Sequence, residues 1–146
     1  EMPEQEFLSR LNAVLPEGLK ALAARALSDE AAPAMARLAA ASYTLVPEEH
    51  LGELAAALPQ FLAQAAIPYQ KRTKSGERTD DLRPLVYNAG VKDGAREALL
   101  AIRESGTAKP EQLLASLCEF AGLSLPRCLI TRTALLDERL VPLENP

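Results

Sequence analysis

The sequence predicts an α+β fold, a ferredoxin-like split βαβ sandwich in which an antiparallel sheet carries two helices on one face. Three observations point there. From Ser42 onward the periodicities run strand, helix, two or three strands, helix, strand. Both helical stretches carry one continuous apolar stripe, so each has a single side to bury. The strand stretches are parted by short Gly-containing turns, as antiparallel neighbours allow. At 146 residues the chain is one domain by length, or two small half-domains sharing a core. A chain of that size buries roughly two thirds of the surface its unfolded form exposes. Only 4% of it is aromatic and Trp is absent, so Leu, Ala and Val must build the core.

The first helix is read in "PEQEFLSRLNAVLP", where Pro3 suits a first turn and Glu4 and Glu6 suit the positive end of the dipole. Phe7, Leu8, Leu11, Val14 and Leu15 recur at helical spacing, and Pro16 and Gly18 stop the run. The stretch 19–27, "LKALAARAL", is ambiguous. Its Ala content favours helix, and its place after a "PEG" turn favours a strand returning alongside the helix. Pro33 opens a short helix. "SYTLV", 42–46, reads as a strand. The helix that follows carries Leu51, Leu54, Ala55, Leu58, Phe61 and Leu62 on one stripe, with Pro59 inside it to kink it. Strands are then expected in "IPYQKRT" and in "RTDDLRPLVY", joined by the turn "KSGE". After the turn "KDG", "AREALLAIRE" alternates with Ala98, Leu100 and Ile102 to one side. "KPEQLLASLCEFAG" is the last long helix, with Leu113, Leu114, Leu117, Cys118 and Ala121 inward and Gly122 as its stop. "CLITRTALL", 128–136, is the last strand. Residues 42–146 thus form the ferredoxin-like domain. Residues 1–41 form a helix, strand and short helix without partners of their own, the half of a second module upstream.

Chemistry is sparse. There is no Gly-rich phosphate loop, no dinucleotide fingerprint, no nucleophile elbow and no zinc-protease helix motif. His50 is the one histidine, in a first helical turn beside Glu48 and Glu49, and reads as a solvated helix residue. Asp80 and Asp81 are adjacent, so on a strand they face opposite ways and cannot share a proton. Cys118 and Cys128 read as small buried hydrophobes, too few for a structural zinc or iron–sulfur site. No cofactor and no metal is expected, and catalysis by the chain alone is not expected either. No apolar run is long enough to cross a bilayer, and "EMPEQEF" lacks a charged-then-apolar leader, so the cytoplasm is the expected compartment.

One stretch stands out. "KRTKSGERTDDLRP", 71–84, places Lys71, Arg72, Lys74, Arg78 and Arg83 against Glu77, Asp80 and Asp81, a local charge of +2 in a chain of net charge -4. Such segregation favours an anionic partner. It also fits a hairpin tip whose basic side chains reach into water and guard a sheet edge. Aromatic interleaving is poor, with Tyr69 and Tyr87 nearest. In the last strand, alternation puts Arg132 on one face with Cys128, Ile130, Ala134 and Leu136, where a guanidinium needs a carboxylate or carbonyls. The expectation is a clasp in which Asp81 accepts from Arg132 and leaves Arg83 free in solvent.

"FLSRLNAVLPEGL", "KRTKSGERTDDLRPLV" and "LITRTALL", in this order, resemble the radical-SAM-linked domain family of unknown function, a bacterial domain found alone or fused behind a cobalamin-binding radical SAM protein. Members of that family begin with a further module carrying a "FLSHLDL"-type helix, so this chain resembles their C-terminal portion. The resemblance marks Arg72, Lys74, Gly76, Asp81, Arg83, Pro84 and Arg132 as motif residues. It implies a radical SAM protein as partner and, through neighbouring ribosomal-protein and ribonuclease genes, a role near RNA. Two functions are therefore expected in competition. One is an accessory domain that presents an RNA or ribonucleoprotein substrate, with Lys71, Arg72, Lys74, Arg78 and Arg83 on phosphates. The other is a protein-docking module for the radical SAM enzyme, free of nucleic acid, with Leu82, Leu85 and Tyr87 at its apolar centre.

Overall fold

The computed structural model describes residues 2–73, 76–103 and 106–143, and within these the side chains of Arg72, Thr73 and Arg103 are outside the description. The chain divides into two compact units, Glu1–Pro33 and Ala34–Pro146.

In the first unit, helix α1 spans Glu4–Val14, with Pro3 as N-cap and Glu4 and Glu6 in its first turn. The stretch 19–27 is neither helix nor strand, which corrects the strand expected there. Side chains of α1 take up its backbone groups. The Asn12 amide donates to the Ala21 carbonyl at 3.0 Å while its oxygen accepts the Ala21 N–H at 2.8 Å, and Glu4 accepts the Ala26 N–H at 2.7 Å. Asn12 and Glu4 stand about 12 Å apart along the helix axis, and the five residues from Ala21 to Ala26 reach about 17 Å at most. The return is therefore more drawn out than a helix, beside α1 as expected, but bonded to side chains instead of a strand. No described residue of this unit is buried.

The second unit opens with α2, Ala34–Arg37, directly after Pro33. Then come β1 (Ala40–Pro47), α3 (Leu51–Leu62), β2 (Pro68–Thr73), β3 (Gly76–Asp81), a 3₁₀ turn (Arg83–Leu85), β4 (Val86–Lys92), β5 (Ala95–Arg103), β6 (Gly106–Thr107), α4 (Pro110–Ala121) and β7 (Cys128–Leu136). The main sheet has the order β4-β5-β1-β7, with β6 pairing β5, and its pairings are antiparallel. Helix α3 joins β1 to β4 across β5, and α4 joins β5 to β7 across β1. That is the ferredoxin-like split βαβ arrangement. Leu54, Leu58 and Phe61 of α3 and Leu113, Leu114, Leu117 and Cys118 of α4 pack over Leu45, Val86, Ala98 and Leu100 of the sheet. The β4–β5 hairpin turns on Asp93 and Gly94, at φ 50 and 80, the left-handed pair that a two-residue hairpin turn demands. Among the described residues no helix is long and apolar enough to cross a membrane.

Two expectations about strands need correction. "RTDDLRPLVY" is not one strand. Pro84 has no N–H to give a ladder, and the chain turns there in the 3₁₀ segment, so β3 ends at Asp81 and β4 begins at Val86. As a result β2 and β3 form a two-stranded sheet of their own, outside the main one. In β7 the register shifts, with Tyr43 opposite Arg132 but Ser42 opposite Ala134. The extra residue, Thr133, is a bulge that reverses the alternation. Cys128, Ile130 and Arg132 therefore share a side that Ala134 and Leu136 do not, and Arg132 is exposed on an edge strand.

The arginine that is buried is Arg96, at 6% exposure, on the face it shares with Ala98 and Leu100. Its Nη2 donates to the Leu51 carbonyl in the first turn of α3, and its buried Nε has no partner among the described residues. Burial pulls its pKa below the ordinary value, although it stays charged. Among the described residues this desolvated guanidinium has one carbonyl contact and no carboxylate, an arrangement that costs more than it returns. Arg96→Met, which keeps the stem and removes the charge, is expected to leave stability unchanged or raise it by about 1 kcal/mol. A urea midpoint falling by the equivalent of about 2 kcal/mol or more would contradict this.

Candidate functional site

The basic stretch folds as the β2–β3 hairpin. Pro68 pairs with Asp81, Tyr69 with Asp80, Gln70 with Thr79, Lys71 with Arg78, Arg72 with Glu77 and Thr73 with Gly76. Directly opposed residues share a face, so Tyr69, Lys71, Arg78 and Asp80 lie on one side and Gln70 and Thr79 on the other. Gln70 and Thr79 hydrogen-bond at 3.2 Å. Gly76 opens β3 at φ 123, a conformation that L side chains rarely adopt. Tyr69 anchors the base of the first face in the core, where burial and then the negative charge of Asp80 push its phenol pKa up.

Beyond Tyr69 that face is ionic. Arg78 donates to Asp80 at 2.8 Å, and the Lys71 ammonium stands 3.9 Å from the same carboxylate. The Arg78 hydrogen bond, helped by the Asp81 N–H, holds the Asp80 carboxyl below its usual pKa. A depressed carboxylate pKa means that the pairing is present at neutral pH and is lost as pH falls through the lowered value. Asp80 thus competes for the two cations with any external anion. Asp80→Asn is expected to release both, so the variant should elute from immobilised heparin at higher salt than the parent. Earlier elution would contradict the competition.

The hairpin is tied to the body by Asp81 and Arg83. One carboxylate oxygen of Asp81 accepts the N–H of Ile67 at 2.8 Å and of Arg83 at 2.9 Å, closing the two ends of the hairpin onto one atom. The Leu82 N–H donates to the Ile67 carbonyl at 2.8 Å beside it. Arg83 turns inward: its Nε donates to the Leu62 carbonyl at 3.0 Å and its Nη1 to the Val86 carbonyl at 3.1 Å. Pro84 sits in the 3₁₀ turn between these contacts.

This arrangement overturns the expected clasp. Asp81 spends its oxygen on backbone N–H groups, Arg132 is exposed on β7, and Arg83 is held by carbonyls instead of standing free in solvent. Of the expected phosphate contacts, Lys71 and Arg78 come together on one hairpin face, and Arg83 is committed elsewhere. The Arg72 side chain and Lys74 lie outside the described residues. Arg96 was missed, though the alternation that marked Ala98 and Leu100 reaches it one step earlier. His50, expected inside the first turn of α3, is instead its N-cap, left-handed at φ 63 with a ring nitrogen 3.2 Å from the Ser124 hydroxyl. Cys118 is buried as expected, and burial raises its thiol pKa; Cys128 is only half-buried.

A family model described as "Uncharacterized protein conserved in bacteria (DUF2344)" matches residues 1–110. Neither a curated protein nor a solved structure matches the chain.

Proposed function

The chain belongs to the DUF2344 family of uncharacterised proteins conserved in bacteria, and from that premise we propose that it is a non-catalytic accessory protein whose hairpin holds an RNA or ribonucleoprotein substrate for a radical SAM enzyme. The observation that carries this reading is the register of β2 and β3. Lys71 and Arg78 stand directly opposite each other. Like charges in that position work against the hairpin, and folding alone would favour opposite charges there. A phosphate backbone reverses the sign of the effect, because two cations on one face then meet one anionic strand. The radical SAM partner rests on the sequence resemblance of the "KRTKSGERTDDLRPLV" and "LITRTALL" stretches.

The protein-docking alternative asked for an apolar centre at Leu82, Leu85 and Tyr87. Leu82 is wholly buried and Leu85 half-buried, which leaves Tyr87, 37% exposed, as the accessible member. The ionic face therefore favours the nucleic-acid reading. With Arg83 committed to the fold, Lys71, Arg72, Lys74 and Arg78 remain for phosphates. Three or four contacts give a log–log salt slope of magnitude about 2 to 4. Fluorescence anisotropy of a labelled structured RNA between 50 and 200 mM KCl measures it. Absence of binding at the lower salt refutes the proposal, and co-purification with a radical SAM protein that survives nuclease treatment would favour docking.

A further inference from the structure

The face of the main sheet opposite α3 and α4 carries a groove of about 320 Å³. We infer that this groove is a binding site for a small amphipathic ligand bearing an amine, held through Glu97. None of its lining residues belongs to the β2–β3 hairpin, so the inference stands apart from the function proposed above.

Four strands converge on it. Ser42 of β1, Asn88 of β4, Glu97 and Leu99 of β5 and Thr133 of β7 line it together with Gly90 of β4. In the ladder, Asn88 pairs with Leu99 and Leu99 with Ser42, and Gly90 pairs with Glu97. Both edge strands are irregular at this level. The register of β4 shifts between Val86 and Asn88, and β7 carries its extra residue at Thr133. Bulges re-aim side chains and gather beside ligand sites. Here they bracket the groove on both sides.

Gly90 is the second indication. Glycine weakens a strand interior, and positive φ is the usual reason to find it there. Gly90 is not among the positive-φ glycines, and a Cβ built on it meets nothing within 4 Å. Neither backbone nor crowding inside the chain calls for glycine, but an occupant of the groove would.

The chemistry of the lining selects that occupant. The side chains of Ser42, Asn88 and Thr133 have no hydrogen-bond partner among the described residues. Among the described residues Glu97 is the only charged one in the lining. Its ion pair with Lys92 is a solvent-exposed one at 3.9 Å, worth little and easily exchanged. Leu99 supplies an apolar floor. A carboxylate, two hydroxyls and an amide around an apolar floor suit a donor-rich cationic head on a short apolar body.

Two-dimensional amide NMR of the full chain, titrated with benzylammonium and n-butylammonium and with benzyl alcohol and n-butanol as neutral counterparts, tests the assignment. The ammonium probes are expected to shift the amides of Ser42, Asn88, Glu97, Leu99 and Thr133. The alcohols should bind at least tenfold more weakly, and Glu97→Gln should remove that preference. Gly90→Val, which fills the groove, should abolish the shifts while melting at or above the parent temperature. The inference is overturned if the ammonium probes leave these amides unmoved, if alcohols bind as well, or if Gly90→Val binds like the parent. It is equally overturned if these amides respond to structured RNA or to a peptide and not to amines. Should Gly90→Val melt lower, Glu97→Gln still decides the matter.

Discussion

Asp81→Ala is expected to destabilise the fold by about 2–4 kcal/mol, through hydrogen bonds to a charged acceptor and the burial of the donors it orphans. The Ile67 N–H, 2.8 Å from Asp81, belongs to a residue only 2% exposed, so water is a poor substitute. The Arg83 N–H, at 2.9 Å, loses its acceptor in the same stroke. Arg83→Ala acts on the opposite side of the same junction, stranding the Leu62 and Val86 carbonyls, and should cost about 1–3 kcal/mol. Arg132→Ala, at an exposed position, should stay within about 0.5 kcal/mol of the parent. Urea melts rank the three. Hydrogen exchange adds a local reading, since the Ile67 amide should lose its protection in Asp81→Ala before the main sheet does. A ranking with Arg132→Ala as the most damaging would restore the abandoned clasp.

Much of the fold was legible in the chain because the amphipathic stripes of α3 and α4 and the alternation of β5 are local and strong. Leu54, Leu58, Phe61, Leu113, Leu114 and Leu117 are inward as their spacing predicts. What failed to read through was non-local. The bulge at Thr133 changes which face Ala134 and Leu136 occupy, and nothing within "CLITRTALL" announces it, since the shift is a property of pairing with β1. The return of 19–27 reads as a strand from its place after the "PEG" turn, against its helix-favouring Ala content, but Asn12 and Glu4 take the place of a neighbouring strand. The candidate site shows the same division. Charge segregation located the hairpin from composition alone. The opposition of Lys71 and Arg78 needs the register, and the inward turn of Arg83 needs the positions of Leu62 and Val86. Gly90 and Glu97 drew no notice in the sequence, because a single strand glycine acquires meaning only when the space above it is known to be empty.

The second large effect concerns binding. Each phosphate contact releases condensed counterions worth about 0.7–0.9 log units of affinity at 0.1 M salt, so three or four contacts amount to about 10²–10⁴-fold. Replacing Lys71, Arg72, Lys74 and Arg78 together by Gln should remove that whole factor. Arg78 is exposed and Lys71 half-buried, and neither supports the core cluster, so the variant should keep the parent's urea midpoint. The decisive measurement is the affinity of this variant and of the parent for the same structured RNA at 0.1 M salt. A loss of about 10²–10⁴-fold with unchanged folding, and a salt slope falling toward zero, is the result predicted for a hairpin that grips phosphates. Equal affinity of the two proteins would contradict it and remove the hairpin from the functional surface.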